Sequence, residues 1–169
     1  GYGYIKEYKV EQMYRDSRIN RIFEGTIEVN RLLIPGGLLT QAGKGTLPLG
    51  EYIAQAVAEM NNPKVGSIGI ISREIEAVLA IRRVFLLAAG MAFETFGEGL
   101  AEQQETLMKL ADIGIQLYAA ESAVLRTQKA LAKNGEEKET LKVELTKALL
   151  DEAVLTVEMS ASNMRLGIS

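Results

Sequence analysis

From Ser72 onward, apolar residues return at intervals of three and four, the spacing that puts them on one face of a helix. The pattern predicts three long helices. The first runs from about Ser72 to Phe96, with Ile75, Val78, Leu79, Phe85, Leu86, Ala89 and Phe93 inward. The second spans about Leu100 to Ala132, with Leu107, Leu110, Gly114, Leu117, Val124, Leu125 and Leu131 inward. The third runs from about Glu137 to Met164, with Leu141, Leu145, Ala148, Leu149, Leu155 and Met159 inward. Gly97-Glu98-Gly99 and Lys133-Asn134-Gly135 separate them. Short breaks between long amphipathic helices predict antiparallel neighbours, so the expected fold is all-α: an up-down bundle of three long helices plus shorter ones.

The first third of the chain reads differently. All three prolines, Pro35, Pro48 and Pro63, lie there, whereas Lys64 to Ser169 contains none. Val10–Asp16 predicts a short helix and Ser17–Gly25 an extended loop. Thr26 is an N-cap candidate, with Glu28 in the first turn, for a helix to about Ile34 that Pro35-Gly36-Gly37 should end. Leu38–Pro48 reads as a connector, followed by a helix over Gly50–Met60 stopped by Asn61-Asn62-Pro63. No strand pattern competes.

Composition narrows the chemistry. Of 169 residues 47% are apolar, enough for a core, and the net charge of −3 provides no basic excess for sequence-independent nucleic-acid binding. Cysteine and histidine are both absent, which removes disulfides, structural zinc sites and Cys or His nucleophile–base pairs; no metal site is expected. Acid–base work falls to carboxylates, Lys or Tyr. The chain starts with Gly1 and shows no secretory signal, the expectation for an internal piece of a longer protein. Its most apolar run, Val78–Phe93, carries Arg82 and Arg83 and is too short to cross a bilayer. Those arginines are expected to pair with carboxylates of other helices or subunits. Gly43-Lys44-Gly45-Thr46 lacks the glycine spacing, the magnesium-binding hydroxyl and the preceding strand of a phosphate-binding loop.

Glu24 is the outstanding candidate. It stands between Phe23 and Gly25, next to a helix start. A carboxylate beside an aromatic, with a glycine allowing close backbone approach, suits a general base strengthened by desolvation. The plainer reading is a surface carboxylate before a capped helix, and these few residues leave both open.

The stretch Arg15–Leu33, RDSRINRIFEGTIEVNRLL, closely resembles the signature near the end of the catalytic core of acyl-CoA dehydrogenases. The opening Gly1-Tyr2-Gly3-Tyr4-Ile5 and then Tyr8, Val10, Glu11, Met13 and Tyr14 resemble the family's preceding segment. This resemblance covers about the first 35 residues. It implies that Glu24 removes the α-proton of a fatty acyl-CoA thioester while the β-hydrogen leaves as hydride to FAD. It further implies that Glu24 and Gly25 border the substrate, the Glu24 backbone N–H holding the thioester carbonyl. Thr26 and Glu28 would meet the adenosine or phosphate part of FAD, and Gly1 and Gly3 the FAD of a neighbouring subunit. Electron-transfer flavoprotein is the implied electron acceptor, within fatty-acid β-oxidation.

Beyond Leu33 the chain departs from ordinary members and resembles, in length and architecture only, the subgroup with an added helical bundle. The expected division is therefore residues 1–36 as the end of the catalytic helical domain, 37–66 as a linker with a short helix, and 67–169 as a helical extension. The piece alone is expected to be inactive, its parent a homo-oligomer in a bacterial cytoplasm. Leu49–Met60 carries Glu51 and Glu59 and no Lys or Arg, which argues against adsorption to anionic lipid. The alternative is a non-catalytic helical module for oligomerisation or partner docking.

Overall fold

The computed structural model describes residues 2–61 and 69–168. A 3₁₀ turn at Tyr2–Tyr4 precedes six helices: α1 (Lys9–Ile19), α2 (Ile27–Gly43), α3 (Leu49–Asn61), α4 (Ser72–Phe96), α5 (Gln104–Asn134) and α6 (Thr140–Ile168), with a second 3₁₀ turn at Gly97–Glu102. No strand occurs among the described residues, and the all-α bundle holds. The breaks at Gly97 and Gly135 fall where expected, both at positive φ.

The bundle is organised by α5, which packs against α2, α4 and α6, while α3 lies along α4. Its centre includes Ile81, Ala92, Leu110, Ile113, Ala120, Val124, Val143, Leu150 and Ala153. Gly90 lets α3 come close, since a Cβ there would lie 3.0 Å from the Ile53 side chain. Arg82 pairs with Glu121 on α5, and Arg83 lies 3.8 Å from Glu59 on α3, as their place inside an apolar helix led one to expect. Both pairs are partly solvated and contribute orientation more than stability. The helix-start charges also pair, Lys142 with Glu139 at 2.7 Å and Lys147 with Glu144 at 2.8 Å.

Three expectations are corrected. First, Pro35-Gly36-Gly37 does not end α2; the helix continues to Gly43, across the division expected between residues 36 and 37. A proline in mid-helix forfeits one backbone bond and costs about 3 kcal/mol. Here Pro35 is buried, Leu32 and Leu39 pack on the core, and Arg31 is ion-paired with Asp112 of α5. Tertiary burial offsets the break. Second, α1 extends to Ile19, so the expected loop over 17–25 shrinks to the turn after it.

Third, α6 faces the other way. Leu141, Leu145, Ala148, Leu149, Leu155 and Met159 are all exposed, and the buried face carries Val143, Thr146, Leu150, Ala153, Val157, Ser160 and Met164. α5 packs along that face, and inside the core the Thr127 hydroxyl donates to Thr146 Oγ1 at 2.7 Å while Thr146 donates to Lys142 O at 2.9 Å. α6 therefore has two apolar stripes, and the bulkier one is outside. Leu79, Phe93 and Leu125 are likewise exposed on α4 and α5.

Candidate functional site

The sequence Phe23-Glu24-Gly25-Thr26 forms the turn between α1 and α2. Glu24 has φ 58°, the only positive φ of a non-glycine residue among those described, and Gly25 follows at φ 96°. Two successive residues in this region reverse the chain sharply, and a non-glycine held there stores of order 1–3 kcal/mol of strain. Several bonds hold the turn. Phe23 N–H donates to Ile19 O at 3.1 Å, Ile27 N–H to Arg21 O at 3.3 Å, and Asn30 Nδ2 to Gly25 O at 3.0 Å. The Asn30 side chain lies so near Gly25 that a Cβ there would be 2.8 Å from Asn30 Oδ1. Gly25 is thus required by its conformation and by its neighbour. Asn30 escaped the sequence reading because an Asn five residues on, inside a helix, has no distinctive pattern.

Thr26 caps α2 as expected, its Oγ1 accepting from Val29 N–H at 3.5 Å. Glu28 in the first turn is held below the usual carboxylate range by its own backbone N–H, then by the Thr26 hydroxyl, with Arg21 and Arg31 adding to the effect. The first-turn amide donors of α2 are therefore already engaged, Ile27 N–H by Arg21 O, Val29 N–H by Thr26 Oγ1 and the Glu28 N–H by its own carboxylate. A shallow hollow lined by Arg18, Arg21, Ile22, Ile27 and Glu28 opens beside this helix start.

The carboxylate of Glu24 is in water, and Phe23 beside it is 58% exposed. The desolvation that would strengthen the base does not come from the residues of this chain. Gly3 sits in the N-terminal 3₁₀ turn, half-buried, and Gly1 lies outside the described residues. The structure brings Glu24, Gly25, Thr26 and Glu28 together in one turn.

The model of the family described as "Acyl-CoA dehydrogenase, C-terminal domain" matches residues 80–167, and a second model of the same description matches residues 1–39. The chain belongs to the acyl-CoA dehydrogenase family. Within that family it is 46% identical over 164 residues to a probable acyl-CoA dehydrogenase of Bacillus subtilis, an alignment covering 95% of this chain and 27% of the relative. It superposes on the crystal structure of an acyl-CoA dehydrogenase complexed with FAD from Bacillus anthracis, with a TM-score of 0.85 and 41% identity over 100% of this chain and 28% of that one. A 39-residue stretch, 23% of the chain and 10% of the relative, is 64% identical to the caffeyl-CoA reductase–Etf complex subunit CarC of Acetobacterium woodii. This acyl-CoA dehydrogenase chain thus spans about a quarter of the length of its long relatives. Among the described residues no helix is long and apolar enough to cross a membrane.

Proposed function

We propose that the protein carrying this chain is an FAD-dependent acyl-CoA dehydrogenase in which Glu24 is the catalytic base. The observation that carries the reading is the left-handed backbone of Glu24, clamped by Asn30 and followed by the helix cap Thr26. Such a turn holds a carboxylate at a fixed point clear of its own chain, and strain of this kind is kept where geometry matters more than stability. Proton and hydride leave opposite faces of one C–C bond, so the base must face the cofactor across the substrate. Glu24 takes the α-proton onto its carboxylate. Its backbone N–H donates to the thioester carbonyl and stabilises the charge that develops there. FAD, held beside Thr26 and Glu28, would supply the acceptor for the β-hydride.

An ordinary carboxylate is a weak base for a thioester α-carbon, and closing the site around it raises its strength. Glu24 and Phe23 are exposed in this chain. The remaining walls belong to the rest of the protein, and this chain alone is inactive.

The donor chemistry beside the turn fits the adenosine end of FAD. Glu28 is an ionised acceptor that already uses the helix-start amide, so it takes hydrogen bonds from ribose or adenine donors and repels phosphate. Thr26 joins it, Arg18 and Arg21 in the adjacent hollow suit the phosphates, and Gly3 leaves room for a neighbouring subunit's cofactor. A homo-oligomer, a fatty acyl-CoA substrate and electron-transfer flavoprotein as acceptor complete the reading; a relative named as part of an Etf complex supports the last.

The test is Glu24→Gln in the full-length protein. The variant is expected to purify yellow with its flavin and to lose turnover on fatty acyl-CoA by about 10²- to 10⁴-fold. Near wild-type activity would take the proton-abstraction role away from Glu24.

A further inference from the structure

Away from the Glu24 turn, α2, α3, α4, α5 and the second 3₁₀ turn line a partly open cavity of about 400 Å³. Leu39, Ala42, Ile53, Phe85, Ala89 and Leu110 are among its walls. The wall residues of α2 begin at Pro35, roughly 14 Å along the helix axis from the cap at Thr26, and Leu39 lies roughly 20 Å from it. The volume falls within the range of small-ligand pockets, about 300–1,000 Å³.

The chemistry of the lining restricts what can enter. Almost all of the wall is hydrocarbon, and Glu98 is its one charged residue. A peptide or hydroxyl group placed inside would lose its water and find no partner. Water inside it finds few polar partners, and an apolar wall left facing water forfeits dispersion contacts. A flexible hydrocarbon chain restores those contacts without bringing in a polar group. Phe93, 59% exposed although it stands on the bundle's own α4, and the exposed Glu98 are lining residues that also face solvent, and we take their side of the cavity as its opening. An aromatic left in water at the mouth of an apolar cavity gives an entering chain a surface to pack on. The Glu98 carboxylate sets the sign of the head group: a carboxylate head would meet like charge, whereas a neutral or cationic head would not.

We propose that this cavity binds a single alkyl chain whose uncharged or cationic head group rests at the Glu98 opening. The site is separate from the dehydrogenation chemistry and does not depend on it.

Isothermal titration of the full-length protein with 1-dodecanol, dodecyltrimethylammonium and dodecanoate, each below its micelle concentration, tests the site. The neutral and cationic probes are expected to bind, and dodecanoate about fivefold more weakly, the size of effect a partly solvated charge exerts. Ala89→Phe and Ala42→Leu fill the cavity from two different walls. Either one, if circular dichroism shows it folded, is expected to lose the neutral probe by at least about tenfold, as the loss of a few buried methylenes requires. Glu98→Lys is expected to reverse the preference toward dodecanoate. Binding that persists in both folded filling variants, or no binding to the wild type, overturns the proposal, and an unchanged head-group order in Glu98→Lys overturns the role of that carboxylate. Glu24→Gln separates the two readings: cavity binding is unaffected by it whether or not it abolishes turnover.

Discussion

The N-terminal segment and the bundle treat apolar residues in opposite ways. In residues 2–34, Tyr2, Tyr4, Met13, Tyr14, Ile22 and Phe23 are all exposed; α1 buries no residue and makes its main contacts with the preceding 3₁₀ turn. In the bundle, Ile113, Ala120, Ala153 and Val143 are almost completely enclosed. Fixing an eleven-residue helix in place needs burial to offset its entropy, and α1 obtains little within this chain. The bundle closes its own core; the segment that carries Glu24 leaves its apolar residues in water within this chain. The proposed chemistry and the self-sufficient core are thus divided between two parts of one chain.

Core truncation sharpens that contrast most strongly. Leu150→Ala on the buried face of α6 is expected to lower stability by about 2–5 kcal/mol, while Leu145→Ala, 62% exposed on the opposite face, stays within about 0.5 kcal/mol. Urea unfolding followed by circular dichroism measures both, and equal losses would return α6 to the orientation its leucines first suggested. A smaller effect is expected inside the core. Thr146→Val strands the Thr127 hydroxyl and costs about 1–3 kcal/mol, whereas changing both threonines to valine recovers much of that loss. A double-mutant cycle that shows plain additivity would mean the two hydroxyls do not depend on each other.

The smallest effect belongs to the N-terminal segment. The pKa of Glu28 is lowered in the folded chain, so its contribution to the α2 start is present above the ordinary carboxylate value near 4.5 and is lost as pH falls through the lower folded value. Local hydrogen exchange at the start of α2 should rise over that acid interval in the wild type and show no such rise in Glu28→Gln. A matching response in the variant would place the transition elsewhere.

Much of the fold could be read from residue order. The breaks at Gly97 and Gly135, the cap at Thr26 and the span of α4 follow from local backbone preferences, which act the same way in any surroundings. The site was legible for a related reason, since Glu24, Gly25, Thr26 and Glu28 are neighbours in the chain and a single turn brings them together. Asn30 was not legible, because its bond to Gly25 O exists only once that turn has formed.

What residue order determined by itself was therefore the helical class, the helix breaks at Gly97 and Gly135, and the place of Glu24 just before a capped helix. Tertiary structure alone decided the passage of α2 through Pro35, the face that α6 turns inward, and the apolar cavity beneath Phe93. Local rules weigh each residue against its own backbone and rank apolar side chains by size. Packing weighs shape against partner helices, and it is Val143, Thr146, Leu150 and Ala153 that α6 buries, leaving Leu141, Leu145 and Leu155 in water.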